Sequence, residues 1–60
     1  SNYVLYWESK NKKINIGDTS NLTNKMLYVQ KMLENEDGKK GSLFVNGDLS
    51  AGFKPYFREE

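Results

Sequence analysis

Lys13-Ile14-Asn15-Ile16-Gly17-Asp18-Thr19-Ser20-Asn21-Leu22 decides the fold, because the chain changes its period inside it. Up to Gly17 the residues alternate. Ile14 and Ile16 point inward and Lys13 and Asn15 outward, the period of a half-buried strand. In Gly17-Asp18-Thr19-Ser20-Asn21, four of the five residues then carry side-chain oxygens of the kind that cap helix N-termini. A helix is predicted from about Leu22 to Glu36. Leu22, Met26, Val29 and Leu33 fall at i, i+4, i+7 and i+11, one apolar stripe at helical period. Met32 borders the stripe and Tyr28 lies to its side. Leu27 sits opposite it, at about 100° per residue. There it reads either as a lone exposed apolar residue or as a second contact surface.

Upstream, Tyr3-Val4-Leu5-Tyr6-Trp7 is aromatic and β-branched almost throughout, a dense strand signal. Tyr3, Leu5 and Trp7 share one face, and Val4 and Tyr6 the other. With both faces apolar, this strand is expected at the centre of a sheet or covered on both sides. Ser9-Lys10-Asn11-Lys12 breaks the pattern, with Asn11 as the tip of a hairpin.

Downstream, Asp37-Gly38-Lys39-Lys40-Gly41 ends the helix. Gly38 suits the C′ position, and the two lysines suit the negative end of the helix dipole. A strand follows over Ser42 to Asn46, with Leu43 and Val45 on one face and Phe44 on the other. Asn46-Gly47-Asp48 is a turn signal. A last extended segment runs from Phe53 to Phe57. It carries Pro55, which cannot donate to a ladder, so the segment belongs at a sheet edge. The order is β-β-α-β-β, an α+β fold with a small, mainly antiparallel sheet and one helix packed on one face.

Sixty residues make a single domain, 1–60. A chain of this length buries only about 60% of its unfolded surface. It has no cysteine and no histidine, which removes disulfides, cysteine-based zinc sites, Cys nucleophiles and His bases together. Ser9, Ser20, Ser42 and Ser50 therefore have no imidazole to activate them. Glu34, Glu36 and Asp37 read as a solvated helix end. Asn46-Gly47-Asp48 and Asn35-Glu36-Asp37-Gly38 offer oxygens, but neither has the ligand alternation and terminal Glu of an EF-hand loop. The expectation is a non-catalytic chain with no cofactor and no metal.

Nine Lys and Arg against eight Asp and Glu leave a charge of +1, short of the basic excess usual in nucleic-acid binders. Lys10, Lys12 and Lys13 do lie near Tyr6 and Trp7, and cations beside exposed aromatics can stack bases. A small nucleic-acid-binding module using the Lys10–Lys13 hairpin is therefore the alternative. The plainer reading makes the lysines a hairpin tip and the aromatics core. The chain shows neither a run of about 18 apolar residues nor a secretory signal pattern. It opens without Met, and Ser1-Asn2 reads as a cloning remnant ahead of a piece of a longer protein.

The ordered set of segments resembles the C-terminal part of the FtsQ/DivIB family of bacterial cell-division proteins. The resemblance covers nearly the whole chain. The aromatic strand Tyr3 to Trp7 leads into a hairpin and then Lys13-Ile14-Asn15-Ile16-Gly17, similar to the family's apolar–x–apolar–Gly strand before its last helix. Lys25 in Leu22-Thr23-Asn24-Lys25-Met26-Leu27-Tyr28-Val29 stands where the family often has a basic residue. Leu43-Phe44-Val45-Asn46 is like its strand ending in an acidic or amide residue, and Phe53-Lys54-Pro55-Tyr56-Phe57-Arg58 looks like its closing strand.

The resemblance implies a parent with a short cytoplasmic tail, one membrane span, a POTRA domain and a β domain on the extracytoplasmic side. This chain corresponds to the second half of that β domain. It also implies a non-catalytic scaffold of the division machinery that binds FtsB/DivIC and FtsL partners through the closing strand. The implied binding residues are Phe53, Lys54, Pro55, Tyr56, Phe57 and Arg58. Phe53, Pro55 and Phe57 are expected to face the sheet's own core, and Lys54, Tyr56 and Arg58 the partner. Edge strands expose unpaired N–H and C=O groups that template strand addition. Pro55 either constrains the partner's register or blunts the edge. With apolar residues on both faces of Tyr3 to Trp7, the isolated piece is also expected to form a homodimer or a strand-swapped oligomer.

Overall fold

The computed structural model describes residues 2–60. Ser1, read with Asn2 as a cloning remnant, lies outside the described residues. Four strands and one helix follow in the order β1 (Tyr3–Trp7), β2 (Lys12–Gly17), α1 (Leu22–Asn35), β3 (Gly41–Phe44) and β4 (Tyr56–Glu59). The sheet order is β1-β2-β3-β4. β1/β2 and β3/β4 are antiparallel, and β2/β3 is parallel. The parallel pair arises because α1 returns the chain to the end of the sheet where β2 began, the crossover that parallel neighbours need. The fold is thus the small, mainly antiparallel α+β arrangement read from the sequence.

The core is one cluster on the helix side of the sheet. Ile14, Ile16, Val29, Leu43 and Val45 are buried, and Met32, Leu33 and Phe57 pack against them half-buried. Alternation explains the sheet's share of it. Ile14 pairs with Leu43 and Leu43 with Phe57, so all three side chains lie on one face. The Asn11 hairpin tip is left-handed, at φ 55°, after a 3-10 turn over Glu8–Lys10. Gly17 closes β2 at φ +77°, and a Cβ there would meet the Asn46 carbonyl at 2.8 Å. Only glycine satisfies both conditions cheaply.

Four expectations need correction. First, β1 is an edge strand, not a central one, and all five of its residues are exposed. Two-sided apolarity shows that a strand can be covered, not that this chain covers it. Second, the helix stripe is rotated. Lys25 and Val29 are the buried helix residues, whereas Leu22 and Met26 are about two-fifths exposed. The lysine's methylene stem lines the core while its ammonium reaches carbonyls. Leu27 is exposed as its phase requires.

Third, the helix N-terminus carries no side-chain cap. Asn21 is left-handed at φ 52° and ψ 34°. The Asp18 carboxylate accepts from Ser20 instead, from the amide at 3.0 Å and the hydroxyl at 2.5 Å. At the other end the helix closes on Glu36, so Gly38, left-handed at φ +81°, sits one position beyond C′. Fourth, β4 starts at Tyr56. Phe53, Lys54 and Pro55 lie before the strand, so Pro55 removes no donor from the ladder.

Candidate functional site: two sheet edges and an open face

β4 is bonded to β3 alone, with Tyr56 opposite Phe44, Phe57 opposite Leu43, Arg58 opposite Ser42 and Glu59 opposite Gly41. Its other side is a free edge. Exposure alternates along the segment: Phe53, Pro55 and Phe57 are half-buried, and Lys54, Tyr56 and Arg58 are exposed. Phe57 packs on the core. Phe53, expected there too, does not join it. Its ring lies over Gly47, where a Cβ would collide with it, and stands 6.4 Å from the Tyr56 ring. Gly47 is thus the residue that lets the loop before β4 fold flat. Asp48 holds that loop, its carboxylate accepting from the Ser50 amide at 3.0 Å and hydroxyl at 2.6 Å. The six residues expected to bind are therefore two kinds of structure, an irregular lead-in and a true edge strand.

The sheet face away from α1 is uncovered. The pairing registers place Tyr6, Lys13, Ser42 and Arg58 in one cross-strand row and Val4, Asn15, Phe44 and Tyr56 in the next. Neither row holds an acidic residue. Tyr56 stacks on Phe44 with ring centroids 4.7 Å apart and planes 16° from parallel. The Arg58 guanidinium lies 5.5 Å from the Phe44 centroid, and Lys13 Nζ lies 5.9 Å from the Tyr6 ring. Each cation sits over an aromatic quadrupole. Phe44 is the floor on which Tyr56 and Arg58 are positioned. Its role was missed in the sequence, although alternation and an antiparallel Phe44/Tyr56 pairing could have located it.

The lysine hairpin divides. Lys13 is on the open face, but Lys12 is buried. Its ammonium donates to the Lys10 carbonyl at 3.0 Å and to the Lys39 carbonyl, and it lies 5.7 Å from the Phe57 ring. The nearby aromatics, expected in the core, are surface groups: Tyr6 is 72% exposed. β1 carries them along the second free edge. That edge was missed because strand order is a property of the whole sheet and not of the strand's own residues.

One charged cluster serves the fold. Lys25 Nζ donates to the Ile16 carbonyl at 3.0 Å, the Asp18 carbonyl at 2.9 Å and Asp18 Oδ1 at 3.2 Å. The Ser20 hydroxyl, the Ser20 amide and Lys25, in that order, lower the Asp18 carboxyl from its ordinary 3.8 to about 2. The Asp48 carboxyl is likewise lowered, first by the Ser50 hydroxyl and then by its amide.

Together these features define a small α+β domain whose exposed chemistry is two unpaired strand edges and one aromatic, cationic sheet face. Comparison with protein-family models, with curated proteins and with solved structures returns no match.

Proposed function

We propose that this chain is a non-catalytic protein-interaction module of an FtsQ/DivIB-like division scaffold, and that it binds an FtsB/DivIC- or FtsL-type partner by strand addition at β4. The reading rests on the resemblance of its ordered segments. The observation that carries it is the free edge of β4, flanked by Tyr56 and Arg58 on their Phe44 floor. A partner strand there gains backbone hydrogen bonds along the edge, and alternate side chains supply specificity. Tyr and Arg are the residue types enriched among binding hot spots. In such a parent the domain works on the extracytoplasmic side of the cell membrane.

The test uses a purified partner of the FtsB/DivIC type. Tyr56→Ala should weaken binding by more than about 1 kcal/mol, roughly fivefold or more. Full-strength binding by that variant, with loss instead in Leu27→Ala, moves the interface to the helix and refutes the edge.

A second reading is favoured by the exposure of Tyr6 beside Lys13. The open face would then stack the bases of single-stranded nucleic acid. Salt separates the two. Binding to phosphates weakens linearly in log salt with a slope set by the contacts made, whereas strand addition changes little.

A further inference from the structure

We infer that the β1 edge is a self-association surface, and that two copies of this chain pair β1 to β1, antiparallel, across a two-fold axis. This surface is separate from β4, so the inference stands or falls apart from the partner reading above.

Sheet edges are ordinarily protected by charge, proline or cover. β4 carries charge, with Arg58 and Glu59 within it. β1 has none: Tyr3-Val4-Leu5-Tyr6-Trp7 holds no charge and no proline, and every residue is exposed. Its only irregularity is a register shift at Tyr3/Val4 on the side facing β2. On the helix side a groove lies between Trp7, at the end of β1, and the C-terminal part of α1. Trp7, Lys10, Gln30, Leu33, Glu34 and Asp37 line it, and Lys10 and Asp37 face each other at 3.9 Å.

The occupant is a second copy because β1 is complementary to itself. Centred on Leu5, antiparallel pairing sets Leu5 opposite Leu5, Val4 opposite Tyr6 and Tyr3 opposite Trp7. Aromatic–aromatic and aromatic–β-branched pairs are the favourable cross-strand combinations. No like charges meet within the paired strands. On the helix side, Tyr3 of one copy arrives beside Trp7 of the other, at the mouth of the groove. The contact is isologous and closes at two copies.

The area suffices as well. The five β1 residues are 40% to 72% exposed. At roughly 150–250 Å² per aromatic residue, they offer on the order of 600 Å² per copy. Two copies together then bury about 1,200 Å², the low end of the range for specific interfaces.

Sedimentation across a concentration series tests this. The apparent mass should rise from the 7.0 kDa of one chain to twice that and stop. Leu5→Lys should abolish the doubling while circular dichroism keeps the native signal, and Tyr56→Lys should leave the doubling intact. The chain has no native cysteine, so Leu5→Cys supplies a readout that does not rest on the charged variant folding. Mild oxidation should cross-link it into a covalent dimer far faster than it does Lys54→Cys. A wild-type mass that stays at one chain overturns the proposal. So does a dimer that Leu5→Lys leaves unchanged, or one that Tyr56→Lys dissociates. Mass that grows without limit points to β1 pairing with β4 head to tail, and also overturns it.

Discussion

Lys25 brings an ammonium into a site that is 1% exposed, and three oxygens make that tolerable. An ammonium has three donors, and here each has an acceptor: Ile16 O, Asp18 O and Asp18 Oδ1. The carbonyls gain too: Ile16 lies near the end of β2, at the residue its register with β1 skips, and Asp18 lies in the bend that follows. Lys25→Met keeps the stem and removes the head. It should cost roughly 1–3 kcal/mol, the penalty for leaving buried acceptors unpaired. In a domain of this size that lowers Tm by about 4–8 °C per kcal/mol, which a thermal melt resolves. Asp18 links the same cluster to pH. Its carboxyl is held at about 2 against an ordinary 3.8, so the folded state favours the charged form. Its stabilisation is complete above 3.8 and disappears as pH falls through about 2. Wild type should therefore lead Asp18→Asn in Tm near neutrality, and the lead should shrink within that window. A lead unchanged down to acid pH means that the Asp18 charge contributes nothing.

Helix α1 shows where periodicity alone goes astray. Hydropathy counts Met26 as core and Lys25 as surface, yet the helix is turned so that Lys25, Val29, Met32 and Leu33 face the sheet. The Ile16 and Asp18 oxygens take the long cationic donor at Lys25, and Met26 is left at the surface. Val29→Ala should therefore be the costly helix truncation, about 2 kcal/mol from two lost methyls and the space they leave. Leu33 is half-buried, so Leu33→Ala belongs near or below the bottom of the usual 2–5 kcal/mol range for Leu→Ala. Leu27→Ala should stay within about 0.5 kcal/mol. Denaturant midpoints rank the three, and Leu27 above Val29 would refute the phase. The strands tell a complementary story. Ile14, Ile16, Leu43 and Val45 were readable as core because alternation is local. The capping role of Asp18 and Ser20 was legible as chemistry but not as geometry: the Asp18 carboxylate accepts from the Ser20 amide and hydroxyl and not from an amide in the first turn of α1. The start of β4 was not legible, since the alternation that begins at Phe53 runs through Pro55 to Phe57 unchanged.

At the scale of the whole molecule, the missing information was strand order. β1 and β4 each have one hydrogen-bonded neighbour, but only β4 announced itself, through Pro55, and it did so for a residue that proved to lie outside the strand. Neither edge is readable from local pattern, because which strand ends the sheet depends on where α1 sends the chain. The consequence for β4 is that it has two sides that deletion cannot separate. Its outer side is a free edge, while its inner residues complete the sheet: Phe57 packs on the core, Phe53 covers Gly47, and the Glu60 amide donates to the Lys40 carbonyl at 2.9 Å. Removing residues 53–60 strips β3 of one of its two partner strands and uncovers Leu43, which is fully buried. A domain this small has little stability in reserve. The truncated chain should therefore lose its cooperative thermal transition. Tyr56→Ala should keep that transition and lose only the Phe44 stack, about 0.5–1.5 kcal/mol. Calorimetry on the two variants separates these outcomes. A truncated chain that melts cooperatively near the wild-type Tm would show that β4 is an appendage and that β3 is the structural edge of the sheet.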